Sequence, residues 1–261
     1  MSGAIGIFDS GVGGIGVLAR AERELPGERF IYYADTRRFP YGDAAPQTVL
    51  EGVTQAAEQM AEQGIQMLVL ACNTATAVAA AALRARFDFP VLGIEPAIKP
   101  AITHCRGRRI AVIATALTLR EPKFQRLFEQ FRSEGELLIL PAPGLADLVE
   151  RGDYDTATAE HTITELFLGA GHVDGIVLGC THYLFLLPVI ERLYPDAAIF
   201  DGGAGLVRNL RRTLAEKGPA GGEPAPVQVL CSGERAEFLP RFARAHRDIA
   251  VILADGAHKI L

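Results

Sequence analysis

Two cysteines stand in matching surroundings 108 positions apart: Ala71-Cys72-Asn73-Thr74-Ala75 follows Leu-Val-Leu, and Gly179-Cys180-Thr181-His182-Tyr183 follows Ile-Val-Leu. Each thiol is expected at the carboxyl end of a strand and the start of a helix. There, unpaired N–H groups and the positive end of the helix dipole lower a thiol pKa, and the same groups can hold a substrate carboxylate. Two thiols on opposite walls of one cleft suit a racemase. One removes an α-proton from one face of the substrate and the other returns a proton to the opposite face, each about 3–3.5 Å from the α-carbon. The sulfurs would then lie roughly 6–7 Å apart, beyond disulfide reach. His182 is placed to tune Cys180, and Asp9 to tune Cys72. A thiol hydrolase would use one cysteine with His and Asn or Asp. Cys180 with His182 could serve, but Cys72 would have no task. Cys105 and Cys231 read as core filler.

Gly11-Val-Gly13-Gly-Ile-Gly16 matches G-x-G-x-x-G, with Asp35 at the right interval for a dinucleotide fingerprint. Asp9 and Ser10 argue against that site, because a carboxylate would stand where the pyrophosphate must approach. A tight turn that presents Asp9 at the lip of the cleft is the better reading, with a plain helix-capping role for Asp9 as the alternative.

These groups need elements to carry them. Apolar runs without two-residue alternation mark strands covered on both faces. They are Ala4–Phe8, Phe30–Ala34, Met67–Ala71, Val91–Ile94, Ile110–Ala114, Leu137–Leu140, Gly175–Leu178, Ala198–Phe200, Val227–Leu230 and Ile249–Leu253. Helices are expected over Gln47–Gln63, Ala77–Phe87, Pro122–Ser133, Thr156–Leu168 and Gly205–Lys217. The class is therefore α/β with mainly parallel sheets. A repeat runs through it. Asp9 and Thr115, Asp35 and Pro143, Cys72 and Cys180, and Glu95 and Asp201 end successive strands at offsets of 106 to 108 residues. This predicts two similar doubly wound lobes related by pseudo-twofold symmetry, with the site between them. The first lobe would comprise residues 1–95 plus 207–261, and the second residues 96–206. Ligands in open α/β sheets sit beyond the carboxyl ends of strands, so Asp9, Cys72, Thr115 and Cys180 should face one cleft.

Composition narrows the class further. The 261 residues are 49% apolar and 22% charged, which describes a globular chain. A net charge of −5 argues against nucleic acid as a partner. No C-x-x-C pair or ligand-spaced cluster suggests a metal. The first residues do not read as a signal peptide. The uncharged stretch 63–83 reads as strand–turn–helix rather than a membrane span. Cytoplasm is the expected compartment. Lys99, Lys123, Lys217 and Lys259 are the only lysines, and none looks like a buried Schiff-base lysine, so pyridoxal phosphate is not expected. A two-lobed amino-acid-binding protein without chemistry would leave both thiols idle.

The chain also resembles the glutamate racemases of the cofactor-independent aspartate/glutamate racemase group, nearly end to end. The resemblance rests on Phe8-Asp9-Ser10-Gly11-Val12-Gly13-Gly14, Tyr32-Tyr33-Ala34-Asp35-Thr36, Arg38-Phe39-Pro40-Tyr41-Gly42, Glu95-Pro96-Ala97 and the two cysteine motifs. It implies that Cys72 deprotonates D-glutamate and Cys180 L-glutamate. Asp9, Ser10, Tyr41, Gly42, Asn73, Thr74, Thr181 and His182 would line the substrate. Thr115 and Thr118 would be a further contact pair, and Glu150 would support the histidine. It also implies that no cofactor is needed, a role in supplying D-glutamate for peptidoglycan, and a small-molecule partner with a homodimer possible. Aspartate is the alternative substrate. Leu184 stands where relatives often have proline, and Gly202 where serine is frequent. An activator site built on a long N-terminal extension, as in some relatives, is not expected.

Overall fold

The structure is a computed structural model that describes residues 3–217 and 225–255. Its strands are β1 (Ala4–Asp9), β2 (Phe30–Ala34), β3 (Ile65–Leu70), β4 (Val91–Gly93), β5 (Arg109–Ala114), β6 (Glu136–Pro141), β7 (Gly175–Leu178), β8 (Ala198–Asp201) and β9 (Gln228–Cys231). Its helices are α1 (Ile15–Glu24), α2 (Pro46–Glu62), α3 (Asn73–Arg86), α4 (Ile98–His104), α5 (Ala116–Arg120), α6 (Pro122–Phe131), α7 (Leu145–Arg151), α8 (Ala157–Leu166), α9 (Leu187–Leu193), α10 (Gly203–Lys217) and α11 (Arg235–Asp255). Short 3₁₀ turns cover Tyr41–Asp43 and Thr181–Leu186.

The strands form two sheets, ordered β4-β3-β1-β2-β9 and β6-β5-β7-β8. Every pairing is parallel. Read from its other edge, the second sheet runs β8-β7-β5-β6 and repeats the first sheet's β4-β3-β1-β2. The pseudo-twofold arrangement of two lobes is therefore built into the strand order. β1 is buried along its whole length, as a central strand covered by helices on both faces must be.

The order reverses direction between β1 and β3, and again between β5 and β7. Crevices open at such switch points beyond the strand ends. Asp9 ends β1 and Cys72 lies two residues past β3. Thr115 directly follows β5, and Cys180 lies two residues past β7.

After the second sheet, α10 packs against α1, β9 pairs with β2, and α11 packs on α1. One expected strand is not a strand. Ile249–Leu253 belongs to α11, whose buried residues are Phe238, Ala245, Ile249 and Leu253. Recurrence at steps of seven, four and four residues is a helix period, and a five-residue apolar window is too short to show it. Helix α3 begins at Asn73, four residues before its expected start, so Cys72 itself is its N-cap.

The two sheets are also joined by a buried ion pair. Arg20, on α1, reaches Asp201 at the end of β8, with Nη1–Oδ1 at 3.2 Å and Nη2–Oδ2 at 2.5 Å. Both side chains are buried, and the Gly203 N–H also donates to Asp201 Oδ1.

Candidate active site

Cys72 leaves β3 with extended backbone, and its Sγ accepts a hydrogen bond from the Ala75 N–H at 3.4 Å. The sequence led to an expectation of a lowered pKa, and the structure corrects it. Burial pushes the Cys72 thiol well above its usual value, and the nearby Asp9 charge pushes the same way. The Ala75 N–H and Ser10 oppose this only in part. One helix terminus cannot offset removal of the thiolate from water.

Cys180 has a different partner. Its Sγ lies 3.7 Å from His182 Nδ1, and His182 Nε2 lies 2.8 Å from Glu150 Oε1. Burial alone would lower the His182 pKa. Hydrogen bonds to Cys180 and Glu150, with the charges of Cys180 and Asp9, outweigh that and hold it well above the usual histidine value. The shift favours the protonated ring, and that ring lies against the Cys180 sulfur.

Glu150 is fixed from both sides. Its Oε1 also accepts from the Val12 N–H at 2.6 Å, and its Oε2 from Arg241 Nη1 at 3.3 Å. Asp9 is not at the lip of the cleft. It is fully buried, and its two oxygens accept from the Gly11 N–H (2.9 Å) and the Thr181 hydroxyl (3.0 Å). Burial raises its pKa, against the pull of His182 and these donors. Asp9 thus supports the wall around Cys180 and acts on Cys72 through its charge.

The glycine turn meets the opposite lobe rather than a phosphate. A Cβ on Gly11 would run into the Glu150 carboxylate, and one on Gly13 into the His182 ring and the Thr181 hydroxyl. The space a pyrophosphate would need is filled by these side chains.

Three hydroxyls from the two lobes form a closed ring. Thr74 Oγ1 lies 3.1 Å from that of Thr115 and 2.9 Å from that of Thr118, and the Thr115 and Thr118 hydroxyls are 2.9 Å apart. Such a cluster can turn its O–H donors toward a carboxylate.

The cleft itself is lined by Ser10, Tyr41, Gly42, Cys72, Thr74, Thr115, Cys180 and His182 among others. Asp9, Glu150, Thr118 and Thr181 stand behind this lining. Asn73 is also set back. It faces two neighbouring spaces, and its buried Oδ1 has no hydrogen-bond partner. Tyr41 lines the cleft, but its hydroxyl is committed to Asp35 at 2.5 Å. Phe39 was not anticipated as a wall residue, although its ring lies 5.6 Å from that of His182. Arg241 was also missed.

The residues that depart from the resemblance have structural roles. Leu184 packs over Gly16, and Gly202 brings the end of β8 against the Glu95 carbonyl. Lys99 is exposed and Lys123 pairs with Glu95 at 2.9 Å. Lys259 lies outside the described residues, and the Lys217 side chain is not described. Among the described residues, no group of three or more His, Cys, Asp or Glu side chains could hold a metal ion. No helix among them is long and apolar enough to cross a membrane.

Comparison with known proteins gives the family. Residues 17–210 match the model of the Asp/Glu/hydantoin racemase family. The chain belongs to that family. The glutamate racemase of Pseudomonas putida is 42% identical over 230 residues, covering 84% of this chain and 86% of the relative. Among solved structures, a glutamate racemase isoform from Bacillus anthracis has a TM-score of 0.83 at 30% identity, covering 93% of each chain. The Escherichia coli glutamate racemase, solved with L-glutamate and an activator, has a TM-score of 0.85 at 28% identity, covering 94% of this chain and 96% of that one. The protein is a racemase.

For this racemase, Gly13→Ala is expected to retain the fold by circular dichroism and lose racemisation by about 100-fold. A shift of about 1 Å at a reacting group has that effect, and His182 cannot hold its place beside a Cβ at position 13. Activity within twofold of the parent would show that His182 is not held by this contact.

Proposed function

We propose that the protein interconverts L-glutamate and D-glutamate by direct proton transfer at the α-carbon, with Cys72 and Cys180 as the two bases and no cofactor. The observation that carries this reading is the equivalence of the two thiols. Each lies two residues beyond the third strand of a repeated sheet, on one cleft. The relatives named glutamate racemase support the choice of substrate.

Burial and the Asp9 charge favour the protonated form of Cys72, and Cys180 has His182 beside its sulfur as a proton partner. This distribution suits L-glutamate. The Cys180 thiolate takes the α-proton, leaving a carbanion with the electron pair of the broken C–H bond. The Cys72 thiol then gives its proton to the other face, which forms D-glutamate and a Cys72 thiolate. For D-glutamate the same steps run in reverse. The two substrate carboxylates would be held by Ser10, Thr74 and Thr115 hydroxyls and by backbone N–H groups, with Thr118, Asp9, Asn73, Thr181 and Glu150 supporting them. The lobes would comprise residues 1–95 plus 207–261 and residues 96–206. Supply of D-glutamate for peptidoglycan in the cytoplasm is the role this activity would serve.

The test is a panel of D- and L-amino acids incubated with chelator-treated protein without added cofactor and followed by circular dichroism. Glutamate should lose its optical signal from either enantiomer, and aspartate should be poor. Shortening the side chain by one methylene leaves buried donors unpaired, at about 1–3 kcal/mol for each. Equal kcat/KM for the two substrates, or dependence on pyridoxal phosphate, would overturn the proposal.

A further inference from the structure

Asp35 is a fully buried carboxylate that the chemistry above does not use. It follows β2, and its own N–H donates to the Asp9 carbonyl at 2.9 Å. Its carboxylate collects donors from three places. Ser232, just past β9, donates to Oδ1 at 2.5 Å. Tyr41 donates to Oδ2 at 2.5 Å. Arg38 Nη1 lies 3.2 and 3.4 Å from the two oxygens. The outer groups are held in turn. Arg38 Nη2 donates to Gln55, and the Arg37 N–H donates to the Ser232 hydroxyl. Helix α2 comes close enough that a Cβ on Gly52 would strike the Asp35 carboxylate.

The chain between these anchors is one of the parts of the first lobe that face the second. Phe39, Pro40, Tyr41, Gly42 and Asp43 all line the cleft. Phe39 lies against His182, and Gly42 is so near Thr115 that an added Cβ would stand 3.3 Å from the threonine Cβ. Because the Tyr41 hydroxyl is bound to Asp35, this segment can meet a substrate carboxylate only through neutral backbone N–H groups. Those groups cannot stretch toward a shorter substrate as a flexible cation could. Where they stand depends on where Asp35 holds Tyr41.

We propose that Asp35 is a positioning residue for substrate side-chain length. It pins the 39–43 segment through Tyr41, Arg38 and Ser232 and so sets the distance between the α-carbon site and the donors for the distal carboxylate. The inference rests on glutamate as the substrate.

The test compares Asp35→Asn and Tyr41→Phe with the parent, using D- and L-glutamate and D- and L-aspartate. An asparagine at position 35 places an N–H₂ group among donors and loses at least one of the bonds. Asp35→Asn is expected to raise KM for glutamate about tenfold, to change kcat less than threefold, and to narrow the preference over aspartate by a similar factor. Tyr41→Phe should show the same split. Added to Asp35→Asn it should change KM by less than twofold, since both remove one link. A residue that only stabilised the fold would lower the amount of active protein and leave KM unchanged. KM and preference within twofold of the parent in folded Asp35→Asn would overturn the proposal. If that variant does not fold, an unchanged KM in Tyr41→Phe overturns it. A parent that does not racemise glutamate would count against the proposed function instead.

Discussion

Replacing Cys180 by alanine is expected to lower racemisation of glutamate in both directions by at least about 10³-fold. A positioned acid or base is worth about 10²–10⁴, and without it one face of the carbanion has no proton donor. Cys72→Ala should do the same. In deuterated water the product should carry deuterium at the α-carbon from the first turnover, while recovered substrate carries little. The thiol that removes the proton is not the thiol that returns one. Alanine at Cys105, which is buried beside β5 and donates toward the Asp174 carbonyl, should keep activity within about twofold. Near-normal racemisation by Cys180→Ala would end the two-thiol reading.

The second large effect is on stability. Arg20→Met is expected to destabilise the protein by about 3–5 kcal/mol, because it leaves the Asp201 carboxylate buried with little beyond the Gly203 N–H. Against a typical total of about 5–15 kcal/mol this is a large fraction. The urea midpoint should fall with an unchanged slope. Arg20→Met combined with Asp201→Leu should recover more than half of the loss, since an apolar pair of similar volume is often neutral. A loss below about 1 kcal/mol for Arg20→Met would mean that the pair contributes no more than a surface one.

The strand ends that carry Asp9, Cys72, Thr115 and Cys180 were legible because buried parallel strands are continuous apolar runs and because the chain repeats itself. The pairing order was legible only through that repeat. What local sequence could not show was which charges meet across the lobes. Arg20 gives one signal, a charged side chain on the buried face of α1 between Leu18 and Ala21. The depth of Asp9 and the raised Cys72 pKa had no signal, because burial is a property of the assembled lobes. The helix at Ile249–Leu253 was hidden by a short window, and Asp35 looked like an ordinary strand end. Its three side-chain donors come from positions 38, 41 and 232, and only folding brings the last of these near.

The position of β9 has a consequence for how the polypeptide is made. The second sheet has all four of its strands once Asp201 has left the ribosome. The first sheet, begun at residue 4, still lacks its fifth strand and Ser232 until about thirty residues later. Domains usually mature from the N-terminus as synthesis proceeds. Here the nascent chain completes its later half first. In the interval, β2 is an open edge of a parallel sheet, the kind of surface that recruits chaperones or pairs wrongly.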